Sequence, residues 1–461
     1  MIAEYNKDAA VVSTRQARGR VFALAWPLIL SNITVPLLGL VDTAVVGHLP
    51  DSRYLGGVTL GATLFSFLYW GFGFLRMGTT GLSAQAHGRG DVDALLRLLG
   101  QSLLIGVVIG FALIALHPVL IPIGLGLLDG SPAVSAEADV YARIRIASAP
   151  AVLANYALIG WFLGRGQTRV TLALMLINNS LNIVLDLLLV IGLGMTTAGV
   201  ALASVLADYL TTVTGLILAF GVWRQWGWRR VSGVFNDRRG YARLLSVNAA
   251  LFVRTLCLLF AFAFFHSQGA QLGDTTLAAN AVLLQFVLLA SYGLDGFAHA
   301  TEALVGQCLG ANDEPRFRRL VRAAIEWSVL MALGATMIFA LAGEALIALL
   351  TDLPAVRAMA AEFLPWMVAM PLLATASYLL DGLFIGATRT AAMRDTMIAA
   401  VVGFYLPVWW LSQSLGNHGL WLAFVSFTVA RSLLLGVIFW REWQQRLWFG
   451  LSAEQRVERG Q

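Results

Sequence analysis

Charge is what this chain has least of. Only 12% of its 461 residues are charged against 58% hydrophobic, and the mean hydropathy is +0.76. A soluble domain carries about 25% charged residues, so a soluble globular fold is excluded and an integral membrane protein follows. Cysteine is nearly absent. Cys257 and Cys308 both sit in apolar stretches, which points to neither a disulfide framework nor a metal site. Enzyme signatures are missing as well. There is no HExxH, no GxSxG, no P-loop and no paired acidic motif that would hold a diphosphate through magnesium, so neither an enzyme nor a cofactor is expected. The net charge of +5 comes mainly from arginines whose placement sets topology, which argues against nucleic-acid binding. The 45 glycines suit close helix packing in lipid.

Apolar segments of spanning length recur between short polar breaks. They lie near 21–47, 54–80, 94–117, 140–163, 170–193, 198–222, 244–267, 276–302, 320–343, 359–386, 395–415 and 419–440. The first is too long for a signal-peptide core and lacks a cleavage site, so it is read as a retained span. Alternate connections carry the arginines: Arg89 and Arg97, Arg165 and Arg169, Arg224 to Arg239, Arg316 to Arg322, Arg389 and Arg394. Both tails are basic too, and the intervening connections are poor in cations. The positive-inside rule therefore puts both termini in the cytoplasm.

The basic connection near the middle divides the chain into an N-terminal lobe (1–222), a linker (223–243) and a C-terminal lobe (244–461). The lobes are repeats. Gly71, Thr79, Leu82, Gln85, Gly88 and Asp91 match Gly293, Thr301, Leu304, Gln307, Gly310 and Asp313 at an offset of 222. Gly166, Thr168 and Arg169 match Gly386, Thr388 and Arg389 at 220, as Gly199, Leu202 and Ala203 match Gly419, Leu422 and Ala423. An even number of spans per repeat makes the two six-helix halves parallel, an arrangement typical of transporters that rock two halves about a central site.

Polar residues inside the spans converge by helix arithmetic. Asn178, Asn182 and Asp186 are spaced four apart and form one stripe on the fifth span, and Ser204 and Asp208 do the same on the sixth. At 1.5 Å per residue, Asp186 lies roughly 24 Å from the cytoplasmic start of its span and Ser204 about 9 Å from the outer start of the next. Asp42 lies beyond the midpoint of the first span, which also holds Pro27, Asn32 and Pro36. A proline inside a helix removes a backbone hydrogen bond and marks a bend. A carboxylate within a span costs a few kcal/mol and faces a cavity or a partner. Neutral amides alone would tie helices together without that cost. Two acids close together in a low-dielectric cavity cannot both ionise cheaply, which makes the pair a proton carrier. The same oxygens suit a sodium ion, and these residues leave both open.

The second half has charges of its own: Arg254 on the seventh span, Asp295, His299 and Glu302 on the eighth, and Asp381 on the tenth. Arg254 is expected to pair with Asp295 or Asp381, because an unpaired buried charge is prohibitive. His299 reads as a satisfied core histidine. Arg76 is placed either to lock an inner gate or to snorkel to the headgroups.

The stretches SNITVPLLGLVDTAVVGHL, FLRMGTTGLSAQA, LNIVLDLLLVIGL and YLLDGLFIGATRT resemble the multidrug and toxic compound extrusion (MATE) transporters, most closely their DinF-type branch, over essentially the full chain. The resemblance implies an all-α V-shaped two-lobe bundle of twelve transmembrane helices. It makes Asp42 the coupling carboxylate of the first helix, Pro27 the residue at which that helix bends on protonation, and Asn182 and Asp186 their fifth-helix partners. Ser204 stands where relatives often carry threonine. Asn32, Tyr141, Asn155, Asn178 and Asp208 become substrate-cavity residues, and Asp381 is similar to the second-lobe acid of the NorM-type branch, with a secondary role beside Arg254, Asp295 and Glu302. The expectation is a monomeric proton-coupled antiporter of the bacterial inner membrane, surrounded by lipid and exporting amphipathic, often cationic organic compounds. Sodium coupling at the same site is the alternative. A lipid-linked sugar flippase would need several cavity cations, where the first lobe offers mainly acids and amides.

Overall fold

In a computed structural model of the chain, residues 13–47, 51–128, 130–227 and 234–449 are described, with the side chains of 35–38, 40, 42 and 43 excepted. Every secondary-structure element among the described residues is a helix. They form α1 (Thr14–Gly47), α2 (Ser52–Gly71), α3 (Phe74–Gly88), α4 (Val92–Leu128), α5 (Pro132–Arg145), α6 (Ala149–Gly164), α7 (Thr168–Asp186) and α8 (Thr197–Gln225) in the first half. The second half holds α9 (Arg238–Gln271), α10 (Asp274–Ala311), α11 (Glu314–Leu350), α12 (Pro354–Gly386), α13 (Thr390–Ala400), α14 (Leu406–Ser412) and α15 (Asn417–Gln444). Several pairs are single spans with a local break: α2 and α3 at Phe72–Gly73, α5 and α6 at a 3₁₀ turn over Ile146–Ser148, and α13 and α14 at a π-helical turn over Val401–Tyr405. Among the described residues eleven such stretches are long and apolar enough to cross a membrane, and α1 completes the expected twelve.

Most spans outrun their apolar windows. α4 continues to Leu128, past Pro118 and Pro122, and α9 starts at Arg238, inside the stretch expected to be linker. Helical hydrogen bonding remains the cheapest way to satisfy the backbone at the membrane surface, so the helix ends where a cap appears and not where the side chains turn polar.

The repeat is visible in those caps. The Asp91 carboxylate accepts from the backbone N–H of Ala94 at 2.9 Å and Asp313 from that of Arg316 at 3.0 Å, each starting a 37-residue helix. Each cap follows a residue in the left-handed region, Gly90 (φ 68°) and Asn312 (φ 55°). A second left-handed pair closes α6 and α12: Gly166 (φ 75°) and Thr388 (φ 56°). There Gln167 N–H donates to Phe162 O and Arg389 N–H to Phe384 O, both at 2.9 Å. The register therefore stays at 222 at this turn. Matching Gly166 to Gly386 at 220 is corrected, because in the second half a threonine holds the left-handed position that glycine favours, which hides the register from residue identity. Only by the first residues of α8 and α15, Thr197 and Asn417, has the offset fallen to 220.

The same symmetry governs packing. Between helices in lipid there is little hydrophobic driving force, so close backbone contact through small residues takes over. A Cβ on Gly160 would sit 2.5 Å from Arg76 O and one on Gly164 2.5 Å from Thr80 O. In the second half, a Cβ on Gly382 would sit 2.4 Å from Ala298 O and one on Gly386 2.5 Å from Glu302 O. Contacts group the chain into two compact units. One comprises the described parts of Leu30–Ala86 and Asp91–Asn248, in which α4 packs on α6, α2 on α5 and α7 on α8. The other comprises the described part of Met1–Ile29, His87–Gly90 and the described part of Ala249–Gln461, in which α12 packs on α10, α11 and α15. α1 changes unit between Ile29 and Leu30.

Candidate functional site

α7 and α8 run side by side in opposite directions, so one turn forward on α7 faces one turn back on α8. This antiparallel spacing brings the two predicted stripes together. Asn178 Nδ2 donates to Asp208 Oδ1 at 3.3 Å, and one turn on, Asn182 Nδ2 donates to Ser204 Oγ at 2.9 Å. One turn further along α7 lies Asp186, fully buried. At Asp186 the α-helix gives way to a π-helical turn, Leu187–Gly192. Such turns recur at functional sites because they reset which way the following side chains point. α1 is tied to the same helix: Asn179 Nδ2 donates to Thr34 Oγ1 at 2.9 Å. Pro27 is buried and Asn32 half-buried within α1, which remains helical through the proline. Asp42 belongs to α1, but its side chain lies outside the described residues, so its approach to Asp186 is not described.

Asp208 has a partner that the sequence reading missed. Arg145, the last residue of α5, donates from Nη1 to Asp208 Oδ2 at 2.6 Å, with both side chains largely buried. Its guanidinium also donates to Ser148 Oγ and lies 5.3 Å from the centre of the Tyr69 ring, whose hydroxyl is 3.0 Å from Ser148 Oγ. The 3₁₀ turn after Arg145, with Pro150 in the first turn of α6, turns the end of α5 toward α8. Arg145 lies five residues inside the predicted span 140–163 and was not singled out from sequence; the following Ser148 and Pro150, which break the helix inside that span, were the available clue. Asn155 Nδ2 donates to Asp208 O at 3.1 Å, and Asn155 Oδ1 accepts from Thr212 Oγ1 at 3.1 Å. Tyr141 packs its ring against Gly61 and edge-on to Phe65. Three of the residues expected to line a cavity, Tyr141, Asn155 and Asp208, are thus bound into the packing of the first half. Asn178 bridges this cluster to the Asn182–Ser204–Asp186 stripe.

In the second half, Arg254 pairs with Asp381, and the Asp381 carboxylate also accepts from Arg431 Nη2 at 2.8 Å. Arg431 on α15 was not singled out from sequence. Glu302 is buried beside His299, with Nδ1 and Oε1 3.1 Å apart, and Asp295 is half-buried on the same helix.

A family model, MatE, matches residues 27–188 and 250–411, one match in each half. The chain is 44% identical over 432 residues to the DNA damage-inducible protein F of Escherichia coli, covering 93% of each. It is 24% identical over 459 residues to a probable multidrug resistance protein NorM of Acinetobacter baylyi, covering 93% of this chain and 97% of that one. Among solved structures it superposes with a TM-score of 0.82 on a crystal structure of MATE in complex with MaD3S, at 19% identity, over 93% of this chain and 97% of that one. That last likeness is one of fold.

Proposed function

This chain belongs to the MatE family of membrane transporters, which are not enzymes, and we propose that it is a proton-coupled antiporter exporting amphipathic, often cationic organic compounds. The observation that carries the reading is Asp186. It is a carboxylate with no exposed surface, placed at a π-helical turn and continuing a stripe of hydrogen-bonded amides. Burying a carboxylate in lipid is expensive, and a site that takes up and releases a proton gives that cost a purpose. In this mechanism, protonation of Asp42 and Asp186 from outside alters the hydrogen bonding around α1. The helix bends at Pro27, the substrate cleft closes and its occupant leaves; deprotonation toward the cytoplasm resets the carrier. Asn182 and Ser204 hold the stripe in register. Arg145 is already neutralised by Asp208, which weighs against a diphosphate-binding flippase. The oxygens of Asn182, Ser204 and Asp186 are also of the hard type that sodium prefers, so sodium coupling is the second reading. The protein acts as a monomer in the inner membrane with both termini in the cytoplasm.

The test is substrate efflux in inverted vesicles under an imposed proton or sodium gradient, for wild type, Asp42→Asn and Asp186→Asn. Proton-driven transport that both variants lose at unchanged protein level supports the mechanism. Dependence on sodium keeps the site and changes the ion. Full proton-driven transport by both variants refutes it.

A further inference from the structure

Buried arginines occur in both halves: Arg165, 7% exposed, lies over the Trp161 and Trp226 rings, and Arg145, Arg254 and Arg431 pair with carboxylates. In the first half, Arg145 meets one carboxylate, Asp208, and the charges cancel. In the second, two guanidinium groups share the single carboxylate of Asp381. Arg254 is 6% exposed, Arg431 9% and Asp381 8%, so this imbalance of one positive charge is held away from solvent. Moreover, the Nε–H donors of both Arg254 and Arg431 have no hydrogen-bond partner among the described residues. An isolated buried charge is costly, and the cheapest remedy is a counter-ion on the spare donors. Guanidinium donors are suited by geometry to carboxylates and small anions.

We propose that the Arg254–Asp381–Arg431 cluster is an anion site that takes one negative charge, either chloride or the carboxylate of an exported compound. Asp381 sets the site's strength by cancelling one guanidinium, so affinity depends on how many acids and bases remain. The cluster lies wholly within the second unit and does not depend on the coupling mechanism proposed for Asp42 and Asp186. Both guanidinium groups bond the same oxygen, Asp381 Oδ2, and their two positive charges oppose a metal cation at this carboxylate.

The experiment uses the purified full-length protein and follows thermal unfolding in sodium chloride against sodium gluconate at equal ionic strength, then with acetate and benzoate. Wild type should gain a saturable rise in Tm with chloride or with the small carboxylates. Chloride alone acting identifies an inorganic ion, and carboxylates alone acting identify a substrate group. Arg431→Gln, which leaves one arginine against one acid, should lose the response. Asp381→Asn, which leaves two arginines and no acid, should reach half-saturation at a lower anion concentration. A wild type and an Asp381→Asn variant that are both indifferent to all of these anions overturn the proposal. So does an Arg431→Gln variant that responds as wild type does.

Discussion

Arg145 and Asp208 make the sharpest quantitative case. Replacing Arg145 by Gln leaves the Asp208 carboxylate with one side-chain donor, Asn178 at 3.3 Å, in a site with 8% of its side chain exposed. Removing one member of a buried pair costs about 3–5 kcal/mol, because the other charge stays buried and uncompensated. Asp208→Asn should cost less, since Arg145 keeps Ser148 and the face of the Tyr69 ring. The double variant Arg145→Gln/Asp208→Asn removes both charges and keeps two side chains able to hydrogen-bond, so it should recover most of the loss. At roughly 2 °C per kcal/mol, the lower end for large domains, Arg145→Gln falls by about 6–10 °C and the double variant by only a few. Unfolding is read by intrinsic fluorescence, with the fully buried Trp161 reporting on the same half of the chain. The coupling energy of the cycle isolates the pair from general damage. Single variants within about 1 °C of wild type, or a double variant as unstable as the sum of the singles, would refute the argument.

Two further predictions rest on contacts described above. Gly160→Ala and Gly382→Ala each push a methyl to about 2.5 Å from a carbonyl oxygen of a neighbouring helix and should each cost about 1–3 kcal/mol, whereas Gly221→Ala, with open space around it, should gain up to about 1 kcal/mol from helix propensity; thermal unfolding of the three variants checks the order. Ser204→Ala removes the hydroxyl to which Asn182 donates and should slow gradient-driven efflux at unchanged expression, while Ser204→Thr keeps the hydroxyl and should transport as wild type does, as vesicle assays would read.

The spans were legible because lipid demands long uninterrupted apolar helices, and the sequence meets that demand twelve times. The α7 and α8 stripes were legible too, since four-residue spacing is a local property of one helix. What the sequence concealed is pairing across distance. Arg431 and Asp381 are fifty residues apart, and Arg145 and Asp208 sixty-three; nothing local tells an arginine that marks a membrane edge from one that reaches an acid on another helix. The break after Arg145 decides which kind it is, and a 3₁₀ turn has no strong composition. The repeat register was hidden at one turn for a similar reason: backbone conformation was kept while the residue that usually reports it was exchanged.

The repeat turns each half into a reference for the other. In the shared register, Asp381 corresponds to Ile159 and Arg145 to Met367, while Asp208 corresponds to Thr428 and Arg431 to Thr211. No buried charge in these two clusters has a charged counterpart. The glycine contacts and the aspartate caps do recur in both halves. The contacts that the halves share are therefore backbone packing and capping, while the buried ions belong to one half or the other, so that two like scaffolds carry unlike electrostatic devices.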